Sequence, residues 1–146
     1  HVYPPLKYWD YDVHCKFQSN SYTCDESRPS SRWYFDILMG DCKPYTNYKC
    51  KTSNLNDFKS YQECRTHCRD YGPREISGDL PENAACILQP DFGDCQDYIQ
   101  MFYFDITQRR CLGFAFSGCG GNQNRFKDSK TLKVTQTNLT LIPVSV

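Results

Sequence analysis

The chain lacks a long apolar run, a surplus of either charge, and most of the residue patterns that carry out chemistry. Its 146 residues include 17 basic and 17 acidic side chains, for a formal net charge of zero. That balance removes any global electrostatic pull toward nucleic acid or an anionic membrane surface. No stretch approaches the ~20 apolar residues of a membrane-spanning helix. The three histidines, His1, His14 and His67, have no nucleophile or acidic partner arranged with them. No phosphate-cradling loop or metal cluster appears, so the expectation is a non-enzyme without cofactor or metal. The opening HVYPPLKYWDYD is polar and aromatic rather than leader-like, and the chain is expected to be a mature form.

What the chain has in quantity is cysteine, ten residues spread along its length. Cys15, Cys24, Cys42, Cys50, Cys64 and Cys68 are separated by 8, 17, 7, 13 and 3 residues. Cys86, Cys95, Cys111 and Cys119 repeat the rhythm with gaps of 8, 15 and 7, and then the series stops. A broken repeat of this kind implies two copies of one small module, the second without its closing pair of cysteines. Modules of about sixty residues have marginal cores and depend on covalent staples. Cysteine-dense modules belong to oxidising compartments, so a secreted, extracellular protein is expected.

The cysteine frame divides the chain into an aromatic arm (1–14), module one (15–68), a linker (69–85), an incomplete module two (86–130) and a tail (131–146). RWYFDI (32–37) and MFYFDI (101–106) are aromatic runs that predict one strand in each module, paired antiparallel with a second strand at the third cysteine. SYQECRTHC (60–68) has helical spacing, with Cys64 and Cys68 on one face. The fold class is therefore small, disulfide-rich α+β. The Cys-x3-Cys pair around His67 is not read as a zinc site, because it belongs to the longer frame. Trp33, Tyr34, Phe35, Phe102, Tyr103 and Phe104 are expected in the core. Tyr3, Tyr8, Trp9 and Tyr11 lie in the arm, where they would either dock on module one or anchor a partner.

The cysteine spacing, the aromatic strand after the second cysteine, and the stretches NDFKSYQECRTHC and FAFSGCGGNQNRF (with Asn56, Phe58, Asn124 and Phe126) resemble Kunitz-type, pancreatic trypsin inhibitor-like domains over residues 15–68 and 86–126. The resemblance implies the pairings Cys15–Cys68, Cys24–Cys50, Cys42–Cys64 and Cys95–Cys119. A closure as long as the first contributes on the order of 4 kcal/mol in the chain-entropy account. Leu132 and Gln136 stand where module two would have its last two cysteines, which leaves Cys86 and Cys111 either bonded to each other or unpaired; the bond is the favoured expectation, since secreted proteins avoid exposed thiols. Module two should then be the softer half. Asn138-Leu139-Thr140 is a glycosylation sequon, and Asn138 a candidate acceptor.

In the Kunitz family the residue after the second cysteine enters the protease specificity pocket, and trypsin-like enzymes want Lys or Arg there. Module one offers Asp25 and Glu26, and module two offers Gln96, Asp97 and Tyr98. A carboxylate facing a carboxylate is strongly unfavourable, and a neutral amide forfeits the charge pairing. Module one also has two extra residues in this loop, and its Arg28 is followed by Pro29, which suits a substrate-like backbone poorly. Before the fourth cysteine the family has Tyr-Gly-Gly. Module one has Asn47-Tyr48-Lys49, and module two has Phe116-Ser117-Gly118, with Gly93 ahead of its second cysteine. Two-module chains of this type look like the ixolaris-like (tissue factor pathway inhibitor-like) salivary proteins of blood-feeding ticks. That likeness implies a monomeric anticoagulant that binds a coagulation serine protease or its zymogen (factor X/Xa, or the tissue factor–factor VIIa complex) at an exosite. The competing readings are a conventional inhibitor acting through Gln96, an ion-channel ligand, and a complement- or platelet-directed binding protein.

Overall fold

The computed structural model describes residues 11–22, 28–48, 56–70, 80 and 82–132. Cys24, Asp25, Glu26, Cys50, Gln136, Asn138 and the arm residues Tyr3, Tyr8 and Trp9 lie outside the described residues, and so does the expected Cys24–Cys50 pairing. Each module is one twisted antiparallel hairpin with a short helix on either side. Module one consists of α1 (Tyr11–His14), β1 (Ser30–Asp36), β2 (Asp41–Asn47) and α2 (Tyr61–Cys64), the last running on as a π-helical turn, Arg65–Arg69. Module two has α3 (Glu82–Ala85), β3 (Ile99–Asp105), β4 (Arg110–Phe116) and a single helical turn over 129–132. Two of the helices fall where the sequence suggested none. The end of the arm and the end of the linker are the matching first helices of the two modules.

The aromatic runs form the first strand of each hairpin; of the six aromatics expected in the core Phe35 is buried, while Trp33, Tyr34, Phe102, Tyr103 and Phe104 are half-buried. Phe35 is buried with Phe58, Cys15, Cys42, Cys64 and Cys68, and Trp33, Ile37 and Tyr61 pack against this cluster. Disulfides Cys15–Cys68 and Cys42–Cys64 cross it. Both hairpins turn on an aspartate. Asp36 Oδ1 accepts from the Leu38 and Met39 amides, and Asp105 Oδ1 accepts from the Gln108 amide. Position four of the turn is left-handed in both, at Gly40 and at Arg109, with φ of 64° and 56°. A tyrosine two residues back donates to each aspartate, Tyr34 at 3.3 Å and Tyr103 at 3.1 Å.

A buried asparagine organises each module. The Asn56 amide donates to the carbonyls of Cys15, Phe17 and Phe35 and its oxygen accepts from the Phe35 amide. Asn124 makes the same four contacts with Cys86, Leu88 and Phe104. Both are completely buried. A residue preceding the last helix caps it in each module: Ser60 Oγ accepts from the Glu63 amide, and Asp128 Oδ1 from the Thr131 amide. Counted from these caps, Leu132 matches Cys64, and it is 1% exposed. A leucine thus fills the space of a half-cystine with apolar volume.

The Cys86–Cys111 bond expected from the sequence is not among the described disulfides. Its matching cysteines in module one, Cys15 and Cys42, reach Cys68 and Cys64, which stand a helical turn apart. The first and third cysteines of module one thus reach different turns of its last helix. Cys86 is buried and Cys111 half-buried.

The modules join through an exchange of side chains. Phe17 and Leu88 form an antiparallel bridge, in which the Gln18 amide donates to Ile87 O and the Gln89 amide to Lys16 O, both at 2.8 Å. Gln18 then crosses into module two, donating to Leu88 O and Phe104 O and accepting from the Ile106 amide. Gln89 returns the contact to module one, donating to Phe17 O and Phe35 O and accepting from the Ile37 amide. Around this exchange Val13, Phe17, Leu80, Ala84, Ala85, Ile87 and Leu88 form a common buried cluster. The junction therefore has approximate two-fold symmetry and a core of its own.

Removing either glutamine amide takes one of the two side-chain donors from each of two carbonyls in the opposite module and leaves one half-buried amide, Ile37 or Ile106, without its acceptor. Gln89→Ala should destabilise module one by about 2–4 kcal/mol, seen in urea unfolding followed by Trp33 fluorescence in a Trp9→Phe background. An unshifted midpoint would mean the modules unfold independently. Burial first and Asp105 second push the Tyr103 phenol up to about 12, against an unfolded value near ~10. The folded pKa is the raised one, so this contribution is complete below pH ~10 and is lost as pH rises toward about 12. In urea titrations across that window, Tyr103→Phe should flatten the fall in stability.

Candidate functional site

The loop around Cys95 is the site best defined among the described residues, and main-chain ties define it. Disulfide Cys95–Cys119 pins it to the end of β4. The Asp94 amide donates to Cys119 O at 3.0 Å and the Asp97 amide to Ser117 O at 2.9 Å, while the Ser117 amide donates back to Phe92 O at 2.8 Å. Ser117 is completely buried. Its hydroxyl accepts from the Cys95 amide at 3.0 Å and donates to Cys119 O at 3.1 Å. The sequence marks this serine as a lost glycine; the structure makes it a further tie, because its Oγ satisfies the amide of the pinning cysteine.

Gly93 is the backbone condition for this arrangement. Its φ is 92°, and a Cβ built there would stand 2.2 Å from Cys119 O and 2.6 Å from Ser117 Oγ. Both the conformation and the close approach exclude a side chain. Module one has Tyr22 in the matching place, two residues before Cys24. Tyr22 is 40% exposed, and the guanidinium carbon of Arg109, from the module-two hairpin, lies 4.3 Å from its ring centroid. Tyr22 thus takes a place that Gly93 holds in module two, ahead of loop residues that lie outside the described ones.

The fixed backbone of module two presents Gln96, Asp97 and Tyr98 side by side, all exposed. Tyr98 is 82% exposed, with its ring 5.6 Å from that of Phe92, and Ile99 is 44% exposed at the start of β3. The three sequence-predicted residues of this loop are therefore contiguous. Arg28 and Pro29 are exposed ahead of β1, whereas Asp25 and Glu26 lie outside the described residues. No group of three or more metal-ligating side chains occurs among the described residues. The site's resources are a backbone tied to Ser117 and Cys119 and exposed side chains, which suit binding to another protein. Gln18 and Gln89 were not singled out by sequence, and Ser117 was noted only as a replaced glycine. The two glutamines carried a signal, since each stands three residues after the first cysteine of its module.

Comparison with known proteins agrees with this architecture. The family model for the Kunitz/Bovine pancreatic trypsin inhibitor domain matches residues 14–69 and 85–132. Papilin of Caenorhabditis elegans is 34% identical over 112 residues, 77% of this chain and 5% of papilin. Amblin of Amblyomma hebraeum is 35% identical over 96 residues, 66% of this chain and 52% of amblin. The chain spans only a small part of the papilins and about half of amblin. Among solved structures, ixolaris, studied for its interaction with factor X, covers 88% of this chain and 98% of its own at 24% identity and a TM-score of 0.33. Calcicludine covers 35% of this chain and 85% of its own at 39% identity and a TM-score of 0.34.

Gly93→Ala should lower stability by at least about 2 kcal/mol through strain and contact with Cys119, measured as a fall in urea midpoint. Ser117→Ala strands the Cys95 amide and should cost about 1–3 kcal/mol. A neutral Ser117→Ala would remove the hydroxyl from the account of loop rigidity.

Proposed function

The chain belongs to the Kunitz/Bovine pancreatic trypsin inhibitor domain family, whose domains are protease inhibitors and not enzymes, and on that footing we propose that it is a secreted inhibitor that meets a serine protease through the Gln96–Ile99 loop. The observation that supports this is the loop's backbone, fixed on Ser117 and Cys119 while Gln96 and Tyr98 stay exposed. A loop ordered before it binds gives up little conformational freedom on binding. Gln96 brings a neutral amide to the pocket, with the Asp97 carboxylate immediately behind it. The preferred enzyme is therefore one whose pocket base is uncharged.

The second reading is the anticoagulant one: a coagulation protease or zymogen, such as factor X/Xa or the tissue factor–factor VIIa complex, held at an exosite. It is favoured by the absence of a basic residue after the second cysteine of either module, at Asp25 and at Gln96. Exposed Tyr98 and Ile99 beside Asp97 would supply an aromatic anchor and a charge for such a surface.

Inhibition of trypsin, an elastase-like enzyme, factor Xa and tissue factor–factor VIIa should be measured with both small and macromolecular substrates. Loop insertion predicts that both substrate classes are blocked and that Gln96→Ala weakens inhibition. Exosite binding predicts loss of macromolecular cleavage alone. Gln96→Arg should bring trypsin inhibition up by about a hundredfold through the restored charge pair. Failure of that gain would mean that the loop does not enter the pocket.

A further inference from the structure

Where the two modules meet, their hairpins enclose an open groove of about 310 Å³ lined by matching pairs, Gln18 with Gln89, Tyr34 with Tyr103 and Asp36 with Asp105. The groove lies at the far end of β3 from the Gln96 loop, about 20 Å along the strand at ~3.3 Å per residue. The match between its halves breaks at one point. In module one, Lys43 stands across the hairpin from Tyr34 and places its Nζ 3.5 Å from Asp36 Oδ2. The residue across from Tyr103 is Leu112. Asp105 keeps the tyrosine hydroxyl on Oδ2 and the turn amide of Gln108 on Oδ1, but it forms no ion pair with a described residue.

The arginines beside it are directed elsewhere. Arg110, its partner across the hairpin, donates from Nε to Gln108 Oε1 at 3.1 Å. Arg109 lies over the Tyr22 ring. The upward displacement of the Tyr103 pKa, second in cause to burial, comes from Asp105. The groove therefore has, at one end, a carboxylate whose counterpart at the other end is charge-paired.

We propose that the Asp105 end of the inter-module groove receives an arginine side chain of a protein partner, in the position that Lys43 takes against Asp36. The Tyr34 and Tyr103 rings, which line the groove, offer apolar cover for the methylene stem. A guanidinium can pair with the carboxylate while its planar face lies on an aromatic ring. This contact is separate from the Cys95 loop and does not depend on which protease that loop meets.

The test is a titration of the intact chain with N-acetyl-arginine amide at low salt, followed by two-dimensional NMR. N-acetyl-citrulline amide, which has the same shape without the charge, is the control. Arginine should give saturable shifts in the Asp105–Gln108 amides and the Gln18 and Gln89 side-chain amides, at least several-fold larger than citrulline gives. Leu112→Lys supplies the cation from within and should abolish the response, as should Asp105→Asn. Equal shifts with citrulline, no shifts, or an undiminished response in Leu112→Lys would each overturn the proposal. Leu112→Lys repeats what module one already carries, so it keeps the test decisive if Asp105→Asn fails to fold.

Discussion

The structure depends on four buried carbonyl oxygens, those of Phe17 and Phe35 in module one and of Leu88 and Phe104 in module two. Each lies where the first segment of a module crosses its hairpin, away from water, and each has two lone pairs to satisfy. Asn56 takes one set from within module one, and Gln89 takes the other from module two. Asn124 and Gln18 do the same at the opposite pair. Each second hydrogen bond contributes about 0.5–1.5 kcal/mol, so a module makes its full set only with the other. Hydrogen bonding couples the modules, and the apolar cluster from Val13 to Leu88 closes over it.

That coupling alters the sense in which module two is the weaker half. It has fewer cross-links by sequence, yet it retains the capped final helical turn, and Leu132 buries in the space of a half-cystine. Its asparagine hub is contact for contact the same as that of module one. The segment before its first cysteine, which composition presents as linker, is a helix packed into the shared core. Disulfides hold module one together along its own helix; module two relies on its neighbour for part of the same service.

Much of this was legible in the residues. The cysteine rhythm located the modules, the aromatic runs located β1 and β3, and the pair Cys64 and Cys68 located the last helix. The loop residues Gln96, Asp97 and Tyr98 are where the spacing from Cys95 puts them. What sequence hid were features that need two distant segments at once. A glutamine three residues past a cysteine looks like surface until its amide is found inside the other module. Ser117 looks like damage to a glycine pair until its hydroxyl is seen on the Cys95 amide. Helices of four residues, such as Glu82–Ala85, carry too little periodicity to rise above composition. Counting the two leftover cysteines, Cys86 and Cys111, likewise says nothing about which turn of a helix each faces.

The reciprocal junction has one more consequence. Each module uses one surface, the segment around Phe17 or Leu88, to meet the same surface of its twin. An isologous contact of this kind is spent once it forms, and it offers no free end on which another copy could build. A longer chain of such modules would therefore assemble as discrete couples rather than as beads on a string. A single module cut from this couple would carry an unanswered glutamine into solution.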